Sequence, residues 1–464
     1  MKWNKSFRDL RNKYLIKGIT KILSHISEKN LIRATYLAER LPKDEGIRNA
    51  VRAVREYFKH GHPSIRLAKR VRVQLNPNCL NKLLENFFIR ACLLSDRRRK
   101  EMEDKQGIHV PWFLLMSPTM RCNLRCKGCS VQSYSVEEDL PAELVNRVLD
   151  EAKELGIYFV TIQGGETFVR KDMLNFYERH NDMYFQVYSN GTLIDKKMAQ
   201  RLAELGNVEV NLSVEGFQKE TDQRRGKGIW DRVMQAMDNL REAGVLYGFS
   251  VTQTRFNTDI VTSDEFFDKM IKMGCCIGWF FQYIPLGKNP DLNLVATPEQ
   301  RNKLRERLKE IRATRPLFVG DFWNDGPFVD GCIAGGRQYL HINHKGDVEP
   351  CGFVHFAVDN IKNKSLKEVL MSPFFKAMRE RIQWKYASKP YSDNLLTPCQ
   401  ITDQPWVLRE LVKEFNAYST DGAGDVLLHG EIARALDDYS KKIHKLYDRV
   451  WETDSDYKDV KRKR

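Results

Sequence analysis

From Trp112 onward the chain alternates short apolar runs with amphipathic stretches. Apolar runs at 112–117, 158–162, 184–188, 208–213, 247–253 and 278–284 read as strands, and helical spacing predicts helices near 141–155, 171–180, 195–205, 229–244 and 262–273. Strand then helix, repeated, marks parallel βα units, because parallel neighbours need a crossover. Six strands fall short of a closed eight-stranded barrel. Loops after the strand C-terminal ends should carry any site, since helix N-termini and backbone N–H groups converge there. After residue 316 the repeat stops. A hairpin is expected across 339–351 with its turn at 344–347, then a helix at 365–369 and a last helix at 430–451 spaced by Ile432, Leu436, Tyr439, Ile443 and Leu446.

Two amphipathic stretches precede the repeat. Tyr14, Leu15, Ile19, Ile22, Leu23 and Ile26 recur at helical spacing beside Lys13, Lys17 and Lys21; Leu83, Leu84, Phe87, Phe88, Ala91 and Leu94 lead into the basic run 97–100. The charge follows this division. The chain carries +15, and residues 1–105 hold 26 Lys and Arg against 11 Asp and Glu, so the whole excess lies ahead of the repeat. Such stretches suit an anionic membrane or an acidic partner, or else a small helical domain packed on the core with its lysines in water. No nucleic-acid motif accompanies the charge, so none is expected as a partner. No apolar run reaches membrane-spanning length and no signal segment stands at the start, which places the protein in the cytoplasm or against the inner membrane face. The organisation expected is a basic helical region (1–108), a βα core (109–316), an extension (317–402) and a helical end (403–464), whose tail 458–464 is basic.

The chemistry concentrates at Cys122, Cys126 and Cys129, three thiols within eight residues just after the first strand. Without partner cysteines for a disulfide framework, this spacing points to a soft metal or an iron–sulfur centre. Structural zinc usually takes four protein ligands, and no nearby His completes the set. Three thiolates leave one position open, which suits chemistry. Cys79, Cys92, Cys275 and Cys276 read as core residues. Cys332, Cys351 and Cys399 form a later set that the hairpin would bring together.

The CxxxCxxC spacing resembles the signature of the radical S-adenosylmethionine (SAM) enzymes, in which three cysteines hold a four-iron four-sulfur (4Fe-4S) cluster and SAM binds the fourth iron. Gly164, Gly165 and Glu166 resemble the family's GGE motif, Ser189 with Asn190 and Ser213 fall at its SAM contacts, and Arg224 matches an arginine that meets the SAM carboxylate. The motif loops at 118–129, 163–167, 189–192 and 213–216 each follow a predicted strand. The chain departs from the pattern at Gly128, where an aromatic is usual, and at Thr167, where proline is usual. The segment around 346–369 resembles a shortened SPASM or twitch extension, with Cys332, Cys351 and Cys399 as candidate ligands of an auxiliary cluster. The resemblance implies an α/β fold with an open partial barrel and reductive cleavage of SAM to a 5′-deoxyadenosyl radical that abstracts a substrate hydrogen. It also implies an external electron donor such as flavodoxin or ferredoxin. Catalytic side chains are not assigned. Peptide or protein modification is the leading reading, a lipid or membrane-associated anionic substrate the second, and a non-enzymatic zinc-stabilised adaptor the third.

Overall fold

The computed structural model describes residues 27–42, 44–130, 139–287, 289–422, 424–458 and 460. Seven parallel strands run in chain order: β1 (Phe113–Met116), β2 (Phe159–Ile162), β3 (Tyr184–Ser189), β4 (Val208–Ser213), β5 (Tyr247–Gln253), β6 (Ile277–Gln282) and β7 (Phe318–Asp321). Each pairs with the next in parallel. The apolar runs are nearly continuous because helices cover the outer face of the sheet while its inner face is also closed from water. The repeat thus continues past 316. β7 escapes a sequence reading because it is four residues long and ends in Gly320 and Asp321.

The expected hairpin forms as β8 (His341–Ile342) and β9 (Asp347–Glu349), and β8 lies parallel beside β1. A further strand, β10 (Asp359–Asn360), extends this edge, so the sheet holds ten strands from β10 to β7. Aromatic contacts draw its two ends inward. Tyr339, next to β8, stacks on Phe113 of β1 with centroids 5.0 Å apart and meets Phe322, just after β7, edge-on at 6.1 Å. The fold is an α/β partial barrel built on a mostly parallel sheet.

The N-terminal helices close the barrel at its N-terminal rim. Leu83–Leu94 forms a π-type helix whose Phe87 packs on Trp112, Phe159 and Tyr184. Leu83, Leu84 and Ala91 of this stripe are buried on the core, as in the helical-domain reading, while Phe88 stays exposed; the stripe at 14–26 lies outside the described residues. Polar side chains dock the region onto carbonyls at the C-terminal ends of the barrel helices. Arg98 donates to Glu154 O (2.8 Å), Asn78 to Ala203 O (3.0 Å), Asn76 to Ala243 O (2.9 Å), and Arg70 to Ile271 O and Cys275 O (3.1 and 3.2 Å). Those ends carry the negative pole of each helix, so cations there are favourable.

The last helix, Gly430–Thr453, packs on Pro298–Thr314 around a buried ion pair. Arg301 and Asp403 are both fully buried, bonded at 2.5 and 3.1 Å. Arg301 also donates to Asn324 Oδ1 and Leu396 O, while Asp403 accepts the Cys399 N–H at 3.0 Å. This pair fixes the Cys399 loop to the barrel. Cys79, Cys275 and Cys276 are buried as expected, and Cys92 packs against a small N-terminal cluster.

Candidate functional site

Four loops after β1, β2, β3 and β4 are tied into one surface. The cysteine loop lies directly over the β2 loop: Gly165 N–H donates to Thr119 O (3.1 Å) and Glu166 N–H to Arg121 O (2.7 Å). A Cβ on Gly165 would stand 2.1 Å from Arg121 O, so the glycine is required by this approach. Glu166 is fully buried, and its carboxylate accepts from Ser189 Oγ (2.8 Å), Asn190 N–H (2.7 Å) and Phe168 N–H (3.2 Å). Burial pushes its carboxyl up, against the pull of those three donors. In this arrangement the side chain clamps the β2 loop to the β3 loop. Asn190 in turn donates to Asn123 Oδ1 at 2.8 Å and approaches Cys122 Sγ at 3.8 Å.

The three cysteines sit partly exposed on this surface. Leu124 N–H points at Cys122 Sγ (3.4 Å), Cys129 N–H at Cys126 O (3.3 Å), and Lys127 N–H at Arg224 O (2.9 Å), which joins the β4 loop. Burial pushes the Cys122 thiol up to about 11, with Cys126 and Cys129 adding to the effect. No three His, Cys, Asp or Glu among the described residues gather tightly enough for a single metal ion. A cubane differs, because its thiolates meet separate corners and stand farther apart than the ligands of one ion. Gly128 has φ +64°, and a Cβ there would lie 2.6 Å from Tyr283 Cε2 and 2.8 Å from Leu294 Cδ1. The ring of Tyr283 therefore fills the space that a side chain at 128 would enter.

Past β4, Arg224 and Arg225 both bond Glu215, Arg225 Nε at 2.8 Å. Glu215 Oε2 and Arg224 Nε are buried without partners among the described residues. Ser213 Oγ faces Ser250 Oγ at 3.4 Å.

A cavity of about 440 Å³ opens inside the barrel next to this surface. Gln163 and Tyr188, the residues just ahead of the β2 and β3 motif loops, line one side, while Phe281, Phe322, Trp323 and Phe353 form an aromatic wall. Cys332, Cys351 and Cys399 all face the same cavity. Burial pushes the Cys332 and Cys351 thiols up to about 12, Cys399 adds to both, and Tyr339 Oη donates to Cys351 Sγ at 3.0 Å.

Sequence reasoning missed several polar residues here. Thr161, Gln186 and Glu209 sit in register on β2, β3 and β4 and bond across the strands at 3.2 and 2.8 Å. Their signal is alternation within an apolar run, Val208, Glu209, Val210, Asn211, Leu212, which turns every second side chain inward. Arg301 and Asp403 leave no such signal.

The partial barrel and the thiol-bearing loop after β1 agree with the iron–sulfur class that the motifs imply. The Radical SAM superfamily pattern matches residues 116–272, and that of an iron–sulfur cluster-binding SPASM domain matches residues 332–400. The mycofactocin maturase MftC of Mycobacterium tuberculosis is 30% identical over 299 residues, covering 58% of this chain and 75% of that protein. The Fe-coproporphyrin III synthase of Methanosarcina barkeri is 28% identical over 242 residues, 49% of this chain and 58% of its own length. The chain thus spans less than two thirds of that synthase. The structure of SuiB from Streptococcus suis bound to precursor peptide SuiA aligns with a TM-score of 0.52 at 19% identity, over 61% of this chain and 70% of SuiB. This chain belongs to the radical SAM superfamily and carries a SPASM domain. The family's cofactors are a 4Fe-4S cluster and SAM, and a SPASM domain adds iron–sulfur binding. Among the described residues no helix is long and apolar enough to cross a membrane.

Proposed function

We propose that this enzyme modifies a peptide or protein by radical chemistry inside the barrel cavity. The observation that carries the reading is the cavity's placement, between the loops after β2 and β3 and the three thiols of the extension. MftC is named a mycofactocin maturase and SuiB is seen with a precursor peptide, which supports a peptide substrate. Cys122, Cys126 and Cys129 are the ligands assigned to the 4Fe-4S cluster. The site also suits the methionyl end of SAM. The unpartnered Glu215 Oε2 calls for a cation and the unpartnered Arg224 Nε for an anion, and an amino acid supplies both. The backbone of Gly164, Gly165 and Glu166, with Ser189, Asn190 and Ser213, completes the assigned surface, Glu166 acting as its clamp. When bound, cluster and SAM supply a 5′-deoxyadenosyl radical for hydrogen abstraction; the protein aims it and excludes water and stray donors.

Cys332, Cys351 and Cys399 are assigned to an auxiliary cluster facing the substrate. The electron comes from an external donor such as flavodoxin or ferredoxin, and the setting is cytoplasmic. Peripheral contact with an anionic membrane is assigned to the basic N-terminal region, residues 1–105.

Cys126→Ala should abolish 5′-deoxyadenosine formation in the anaerobically reconstituted enzyme; continued formation would sink the assignment. Iron and sulfide analysis gives the second test. Two clusters give about eight irons in the wild type and about four in the Cys122/Cys126/Cys129 triple Ala variant. Zinc without iron would instead support the adaptor reading.

A further inference from the structure

Gln400 is 3% exposed and lines the cavity next to Cys399, yet neither its Nε2 nor its Oε1 has a hydrogen-bond partner among the described residues. Trp323 Nε1, in the same lining and equally buried, also lacks one. Buried polar groups are rarely left unpaired, and an amide unpaired at both ends is more unusual still. The neighbouring wall is aromatic and offers little to bond with. A donor and an acceptor on one planar amide match a group that turns an acceptor and a donor the same way. One extended peptide residue does this, its own N–H and C=O pointing to the same side as in a hydrogen-bonded strand pair. An amide oxygen is a hard ligand and a poor partner for a cluster that prefers thiolate, which argues against Gln400 as an iron ligand.

We propose that Gln400 is a substrate-binding residue that grips the backbone N–H and C=O of one extended peptide residue beside the auxiliary thiols, with Trp323 Nε1 donating to a further carbonyl. The aromatic wall then receives that residue's side chain. This rests on the peptide reading above and names the atoms that hold the peptide.

The test uses cluster-loaded full-length protein and two probes in anaerobic equilibrium dialysis. One is N-acetylphenylalanine N-methylamide; the other is its ester analogue, with oxygen in place of the residue N–H. The proteins compared are wild type, Gln400→Met and Trp323→Phe. Wild type should bind the amide about tenfold tighter than the ester, Gln400→Met should bind both alike, and Trp323→Phe should weaken both together. Iron content should stay at the wild-type value in both variants. Equal binding of amide and ester by wild type, or an unchanged preference in Gln400→Met, overturns the assignment while leaving the cavity as the substrate site. Loss of iron in Gln400→Met also overturns it and makes the residue a ligand. Failure of wild type to bind either probe overturns the peptide reading itself.

Discussion

Replacing Asp403 by Asn would strand a buried guanidinium. Arg301 is 0% exposed, and its bonds to Asp403 are the only ion pair it makes among the described residues; its other partners, Asn324 Oδ1, Leu396 O and Trp323 O, are neutral. Asn keeps the volume and removes the charge. Breaking a buried pair in this way costs about 3–5 kcal/mol, because the surviving ion stays desolvated and unpaired. For 464 residues the unfolding entropy is about 1 kcal/mol/K, so the melting temperature should fall by about 3–5 °C if the chain unfolds as one unit. Anaerobic scanning calorimetry reads this directly. The Arg301→Met, Asp403→Asn double variant should recover most of the loss, since two neutral groups leave no orphan charge. A fall below about 1 °C, or a double variant no better than the single, would refute the reasoning.

Two further outcomes concern Glu209, bonded to the cavity-lining Gln186, and Tyr339. Burial pushes the Glu209 carboxyl up to about 7 from the usual 4.5, so the folded state holds that proton more tightly than the unfolded one. The favourable contribution is full below pH 4.5 and is lost as pH rises through 7, a change of about 3 kcal/mol. Glu209→Gln should remove that slope and be the more stable protein at pH 8, with urea unfolding at pH 5 and pH 8 as the check; an unchanged slope counts against it. Tyr339→Phe removes the O–H donated to Cys351 Sγ, and hydrogen bonds to cluster sulfurs raise the potential. Redox titration followed by EPR should show the auxiliary centre more negative and the SAM-binding cluster unmoved. An unmoved auxiliary potential argues against Cys351 as a ligand.

Strands β1 to β6 were legible because each is an apolar run bounded by turn residues, and the motif loops because each follows such a run; β7, short and ending in Gly320 and Asp321, was not. The cysteine loop, the Gly-Gly pair and the hairpin at 341–349 needed only local spacing. What stayed hidden depends on distance along the chain. Arg301 and Asp403 are 102 residues apart, and each alone reads as one more solvated charge on a helix or loop. Gln400 sits in a polar loop where its burial has no sequence signature. Gly128 shows the converse: the missing aromatic is visible in the sequence, while the reason is not, since Tyr283 arrives from beyond β6 to occupy the space.

The basic N-terminal region gains a physical role from the same geometry. Parallel βα units point every helix C-terminus at one rim of the barrel, so negative dipole ends collect there while the opposite rim gathers N-termini and backbone donors. Arg70 and Arg98 sit on carbonyls at the first rim, with Asn76 and Asn78 beside them. The second rim carries Cys122, Cys126, Cys129 and the loops around Glu166 and Asn190. Part of the surplus positive charge therefore closes the end of the barrel away from these loops. The extension brings Cys332, Cys351 and Cys399 to the cavity, whose other side is lined by Gln163 and Tyr188, just ahead of the β2 and β3 motif loops.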